Sequence, residues 1–387
     1  MKRNNPLASI PVFLAFLCMG FGDAVGPFVG LAKEEFNLSN TMAQLIPFVG
    51  FIMFGILSVP MGIYQDKKGK KSVLLIGLLV ALLGLILPVL GGLSSYGMFL
   101  LTILLLGAGS TVLQVAGNPI MRDVSPEGKF SRNLALGQFV KALGSLTGPI
   151  IPVVAARWLG MGWELIFPVY SALLLVSIII LALTPIHERR IIAANPASFT
   201  SCFALLKNRY ILFMVSGIFL YVGAEVSMSS GIPLYLEELF GIDIRTLGVA
   251  GSGFFFIAIM TGRFLGSVVL NWISPRQFFV ITASVSLVSI AGLFSGIQSV
   301  ALVAVFLTGL GFANIFPLIF SITVDKYPER TNELSGLMVM AIVGGAILPP
   351  VMGVIADYTS VLTGFIVPVT AIGYVLIISI RVSKSNQ

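Results

Sequence analysis

The sequence predicts an all-α membrane protein of twelve transmembrane helices, arranged as two pseudo-symmetric six-helix bundles. A duplication, an apolar composition and the placement of charge lead to that class. Residues 107–127 reappear without a gap 202 positions later as residues 309–329. Gly107, Gly109, Asp123, Pro126 and Glu127 fall on Gly309, Gly311, Asp325, Pro328 and Glu329. A second pair of segments, Gly22 to Phe36 and Ala224 to Phe240, repeats at nearly the same offset. Each begins with a carboxylate in apolar sequence, Asp23 or Glu225, and ends Glu-Glu before phenylalanine. Hydrophobic residues make up 57% of the chain and charged ones 10%, against about 25% charge in a soluble domain.

At about 20 apolar residues per bilayer crossing, the spans begin near Leu7, Met42, Ser72, Gly97, Asn133, Trp163, Tyr210, Leu247, Gln277, Val300, Leu334 and Val361. Six fall in each half. Lipid offers no partner to a free backbone group, so each run must be a helix, and the alternation of a barrel strand is missing. With the N-terminus inside, 18 of the 23 Lys and Arg fall on the inner side, and Lys33, Arg157 and Arg245 fall outside. Lys141 and Arg263 lie within spans. The positive-inside rule therefore places both termini in the cytoplasm. The net charge of +7 is a topology signal, and no nucleic-acid partner is expected.

The basic start and apolar stretch of residues 1–31 read as the first helix, since the stretch exceeds a signal-peptide core and eleven spans follow. The halves, 1–184 and 210–387, meet at a polar, basic linker over 185–209. Its apolar stretch Phe203 to Leu206 can lie as a helix at the inner membrane surface. Cys18 and Cys202 sit where no disulfide between them is expected, and both read as packing residues. His187 stands alone in the linker, so no metal site or histidine relay is expected. No cofactor and no metal are expected, and the protein is expected to be a monomer in the lipid bilayer. Its place is the cell membrane, which is the inner membrane in a Gram-negative cell.

The turn after the second span, Gly62-Ile-Tyr-Gln-Asp66-Lys67-Lys68-Gly69-Lys70-Lys71, is similar to the loop signature of the major facilitator superfamily. In that signature Gly62 lets a helix from the other half approach, Asp66 accepts from a helix N-terminus, and Lys67 and Lys70 can pair with it. Gly266, Asn271 and Arg276 form a degenerate copy in the second half. Ala116-Gly-Asn118-Pro119, Tyr221-Val-Gly-Ala-Glu225, Gly262-Arg-Phe264, Ile342-Val-Gly-Gly345 and Pro350 to Asp357 resemble the fucose, glucose and galactose permease branch. That resemblance implies a six-plus-six major facilitator fold. It also implies proton-coupled symport of a monosaccharide or sugar acid through a central cavity opened alternately to each side.

Asp23 lies in the first span between Gly22 and Gly26, and an ionised carboxylate in hydrocarbon costs about 2.5 to 3.5 kcal/mol or more. It must meet a cavity or a partner, as a proton-exchanging group or as a tie between helix ends. Glu225, at the equivalent depth of the seventh span, carries the same two readings. The resemblance places a carboxylate on the fourth span and an amide on the fifth, where this chain has Gln114 and Lys141. Asp23 aligns near an asparagine of the pattern, and Gly26 takes the usual acid position. Gln114 cannot carry a proton, but its amide can bind a hydroxyl in two directions.

Lys141, about eight residues inside the fifth span, has three readings. It snorkels to the inner surface, pairs with Asp23, or receives an anionic substrate with Gln138 one turn earlier on the same face. Asn118 and Asn314 are candidate cavity amides that can equally re-satisfy backbone freed at a helix bend. Tyr221 and Phe316 can stack on a pyranose or pack. Arg263 reads as a cytoplasmic gating anchor. Gly144-Ser-Leu-Thr-Gly148-Pro149 partly resembles an antiporter pattern, so an exporter or antiporter of a small organic molecule is the alternative. A membrane-embedded enzyme is remote, because no catalytic constellation or phosphate loop appears in the spans.

Overall fold

The computed structural model describes residues 9–23, 32, 35–38, 42, 45–188, 197–241 and 249–384. Gly26 and most of the first copy of the Gly22 to Phe36 repeat lie outside the described residues. The chain is almost entirely helical. Among the described residues, ten helices are long and apolar enough to cross a membrane, by length and composition, and the shorter apolar helices Ile10–Asp23 and Phe254–Val269 stand in first and eighth place.

In chain order the helices are α1 (Ile10–Asp23), α2 (Leu45–Lys68), α3 (Lys70–Gly91), α4 (Tyr96–Val124), α5 (Phe130–Val154), α6 (Ile166–Leu183) and the linker helix α7 (Phe199–Ala204). The second half contributes α8 (Arg209–Phe240), α9 (Val249–Val269), α10 (Pro275–Gly292), α11 (Gln298–Phe312) and α12 (Ile315–Lys326). It ends with α13 (Thr331–Met340), α14 (Gly344–Tyr358), α15 (Val361–Gly364) and α16 (Ile366–Lys384). Local sequence sets several of these ends. Ser95 caps α4 by accepting from Met98 N, and Ser274 with Gln277 forms a capping box at α10, where Pro275 takes the first turn. The tenth span is broken at Ala313–Asn314 between α11 and α12.

Packing divides the chain into two compact units. The first holds Met1–Phe130, Val140–Ala204 and Tyr327–Met340; the second holds Ser131–Phe139, Leu205–Lys326 and Ala341–Gln387. Each unit thus takes a short segment from the other half of the sequence. These segments are repeat counterparts, because residues 131–139 shifted by 202 become residues 333–341.

Inside the first unit, α13 packs on α2 and α4, and Ser335 Oγ donates to Val115 O at 2.6 Å. Inside the second, Ser131 Oγ donates to Ser321 Oγ at 2.8 Å, and Phe139 packs on Phe264 with ring centroids 5.4 Å apart. The linker helix α7 covers part of the expected apolar stretch, and Cys202 on it is buried. Burial first, then the Glu333 carboxylate, pushes the Cys202 thiol up to about 12, so it stays protonated at neutral pH.

One crossing recurs in both units. A Cβ on Gly144 of α5 would run into Leu17 O of α1, and a Cβ on Gly344 would lie 2.8 Å from Phe219 C of α8. Leu17 and Phe219 are 202 positions apart, so the same close approach is built at equivalent places in the two repeats. In lipid such contact rests on dispersion and small residues rather than on a hydrophobic driving force. On the first unit's side, the Phe21 and Tyr170 rings stack at 3.8 Å, and Tyr170 OH shares a 2.9 Å hydrogen bond with Thr147. These contacts hold α1 against α5 and α6. Gly144→Leu or Gly344→Leu should therefore lower the thermal unfolding midpoint of the detergent-solubilised protein. The overpacking cost is about 1 to 3 kcal/mol, and an unchanged midpoint would show that the helices do not need to touch there.

Candidate functional site

Among the described residues, one ion pair at the signature loop and two within spans organise the candidate polar residues. At the loop, Gly69 turns the chain with φ +88, which suits glycine. The next two amides, Lys70 N and Lys71 N, donate to the two oxygens of Glu188 at 2.8 and 2.9 Å. Glu188 thereby caps the N-terminus of α3, where free N–H groups favour an anion. Lys71 Nζ donates to Ala182 O and Thr184 O at the end of α6. Glu188 is the single acid in the basic linker, a signal that could have been read and was not.

The expectation that the loop lysines pair with Asp66 is corrected. Lys70 Nζ lies 2.6 Å from Asp123 Oδ2, with side chains 7% and 2% exposed. Asp66 instead accepts from Asn332 Nδ2 at 3.0 Å and from Ala197 N at 3.2 Å. The reason is position. Lys70 begins α3 beside the end of α4, whereas Asp66, still on α2, faces α13. Lys67 is exposed. Gly62 makes that approach possible, since a Cβ there would sit 3.0 Å from Gly336 Cα. Gln65 Nε2 donates to Asn332 O at 3.3 Å. Below this contact Glu333 is held by Ser201 Oγ and Arg330, so linker and α13 share a polar seam.

The second pair lies inside the first unit. Lys141 Nζ is 3.0 Å from Asp23 Oδ2, and Ser145 Oγ donates to the same oxygen at 3.2 Å. The Gly144 crossing brings these residues together by pressing the α5 backbone onto α1 at Leu17, nearly two turns before Asp23. Of the three readings of Lys141, snorkelling is excluded for this arrangement. Its side chain is 10% exposed, against 38% for Asp23. Gln114 and Asn118 are buried on α4, whose Ser110 and Gly117 touch α1 at Gly22 and Met19.

The third pair lies inside the second unit, where Arg263 Nη2 is 3.6 Å from Glu225 Oε1 with side chains 13% and 18% exposed. Arg263, expected as an anchor at a cytoplasmic end, is buried beside Glu225, and its Nη1 also reaches Gln138 O at 3.5 Å. Gln138 therefore falls in the second unit through its backbone, while Lys141 belongs to the first. Tyr221, one turn before Glu225, lies beside both charged groups. Its ring is fully buried against Phe312 at 5.7 Å, a packing arrangement rather than an open stacking face. Phe316 is likewise buried and packs on Phe320. Asn314 Nδ2 donates to Gly262 O at 2.7 Å and so ties the break in the tenth span to α9.

The family model described as Major Facilitator Superfamily matches residues 12–348 and 214–386. The chain is 30% identical to a putative glucose/galactose transporter of Helicobacter pylori over 100% of this chain and 99% of that protein. It is 26% identical to the L-fucose-proton symporter of Escherichia coli over 84% of this chain and 81% of the other. The crystal structure of the E. coli fucose:proton symporter superposes with a TM-score of 0.83 at 20% identity, covering 100% of this chain and 99% of that one.

Removing one member of a sealed ion pair strands the other, at a cost of about 3 to 5 kcal/mol. Asp123→Asn should therefore lower the unfolding midpoint clearly, whereas the paired change Lys70→Met with Asp123→Leu should recover most of the loss. If the double variant is as unstable as the single one, Asp123 stabilises by some route other than Lys70.

Proposed function

The chain belongs to the major facilitator superfamily, and on that premise we propose that it imports a monosaccharide or sugar acid together with protons, by alternating access. Family and relatives are transporters, so the chemistry is movement of a solute and not its conversion. The relatives' names, glucose/galactose transporter and L-fucose-proton symporter, support the substrate class and the coupling ion. One observation carries the mechanism: Asp23 and Glu225, 202 residues apart in the repeat, are both span-embedded carboxylates held by a counter-cation. A carboxyl whose cation can be withdrawn is suited to take up and release a proton.

In this reading the halves 1–184 and 210–387 rock about the substrate, with the linker 185–209 between them. Asp66, Gly62 and the α13 contact gate the inner side. Gln114 and Asn118 contribute polar contacts to the substrate, Asp23 carries the transported proton, and Glu225 is its pseudo-symmetric mate. The basic loops support cytoplasmic termini, and the protein works as a monomer in the bilayer.

Asp23→Asn in proteoliposomes should abolish accumulation driven by a pH gradient while leaving exchange of labelled against unlabelled sugar measurable. Wild-type accumulation by that variant would remove Asp23 from coupling and leave Glu225 as the candidate. Asp66→Asn should slow net transport with little change in equilibrium substrate affinity, because its bonds to Asn332 and Ala197 are conformational ties. A large loss of affinity at unchanged transport rate would contradict the gating role.

A further inference from the structure

Resting on that symport reading, we propose that the substrate carries a carboxylate, that Lys141 receives it, and that Asp23 is the internal anion the substrate displaces. The pairs Lys70–Asp123, Arg263–Glu225 and Lys141–Asp23 differ in one respect. Lys70–Asp123 is closed on both members, at 7% and 2% exposure. Arg263–Glu225 is nearly so, at 13% and 18%, with Tyr221 and the Gln138 carbonyl around it. In Lys141–Asp23 the cation is sealed at 10% but its anion is 38% open. A ligand can reach this pair from the side of the acid, and the group it meets is the one that can be pushed aside.

The site has further capacity. An ammonium offers three donors, and among the described residues Asp23 and no other acid contacts Lys141. Both contacts to Asp23, from Lys141 and Ser145, use Oδ2. Gln114 is 3% exposed and lies one turn from Ser110, which touches α1 at Gly22. Its amide can both donate to and accept from a hydroxyl.

Charge balance then couples the two solutes. With no substrate, Lys141 and Asp23 sum to zero. A neutral sugar gains nothing from parting them, because a lone lysine inside a span is expensive. A substrate carboxylate replaces Asp23 at the ammonium, so Lys141 is never bare. The displaced Asp23 carboxylate takes one proton from water, forming an O–H bond and becoming neutral. Loaded with Lys141 positive, substrate negative and Asp23 protonated, the site again sums to zero. Release reverses each step, and one carboxylate and one proton cross together.

Among the described residues, the other groups near Asp23 do not disturb this count. From α5 come Lys141 and Ser145; from α4, the uncharged Ser110 beside Gly22; from α6, Tyr170, engaged by Thr147 and stacked on Phe21. Helix α3 has no charge beyond Lys70 and Lys71 at its N-terminus.

The test uses the purified full chain in proteoliposomes with labelled D-galacturonate and D-galactose as probes, in counterflow and in equilibrium competition. Wild type should exchange galacturonate. Lys141→Gln should weaken galacturonate tenfold or more and leave any galactose binding unchanged. Asp23→Asn, lacking the internal competitor, should bind galacturonate several-fold more tightly, an effect that a merely structural salt bridge would not produce. If Lys141→Gln does not fold, the Asp23→Asn measurement alone decides, and unchanged or weaker acid binding overturns the proposal. Equal weakening of acid and neutral sugar in Lys141→Gln also overturns it. Exchange of galactose without galacturonate ends the anion site but leaves sugar symport standing. Exchange of neither overturns both.

Discussion

The cost of a bare charge where water is scarce constrains everything else in this chain. Two unit charges 4 Å apart attract by about 1 kcal/mol in water and about 4 kcal/mol at the effective dielectric of a protein site. Taking either out of water costs several kcal/mol. A charge inside a span is therefore tolerable only with a partner, and the partner must come from another helix. Lys70–Asp123, Lys141–Asp23 and Arg263–Glu225 are thus statements about helix adjacency as much as about charge. Each requires two backbones close enough for side chains to meet, and the Gly144 crossing at Leu17 brings α5 that close to α1.

The repeat explains what is symmetric here, and charge explains what is not. Asp23 and Glu225 are equivalent in the duplication, as are Leu17 and Phe219 at the two close crossings. The cations are not equivalent. Lys141 comes from the fifth span, whereas Arg263 comes from the eighth, the repeat counterpart of the second. A duplicated scaffold preserves where an acid must be neutralised but not which neighbour neutralises it, since several helices flank the same place. Two acids in equivalent frames have thereby acquired unlike surroundings, one open at 38% and one held at 18%. Unlike tasks can be divided between such sites without changing the fold.

Most of the architecture was legible in the sequence because its causes are one-dimensional. Apolar runs of bilayer length must be helices, and loop charge and internal repetition can be read by position alone. The span-embedded residues Asp23, Lys141, Glu225 and Arg263 stood out for the same reason. Their partners were harder, since pairing depends on which helices touch and at what rotation. Asp23–Lys141 was one of several readings, Lys70 was assigned to the wrong acid, and Arg263–Glu225 was not foreseen. The exchange of residues 131–139 and 327–340 between the units left no mark in composition, because both segments are simply parts of amphipathic spans.

The signature loop shows how one carboxylate can unite elements that are distant in sequence. Asp66 has two oxygens, and each accepts from a different element: Oδ1 from Asn332 on α13, Oδ2 from Ala197 at the start of the linker helix. Hydrogen bonds to an ionised group are roughly twice as strong as neutral ones. A few residues on, Ser201 of the linker meets Glu333 of α13 directly. The linker and α13 are therefore joined to α2 and to each other. At its other end, Glu188 fastens the linker to the N-terminus of α3. Drawing α13 away from Gly62 would break the Ala197–Asp66 bond if the linker segment 197–201 follows α13, or the Ser201–Glu333 bond if it stays with α2, so the segment is coupled to any such motion.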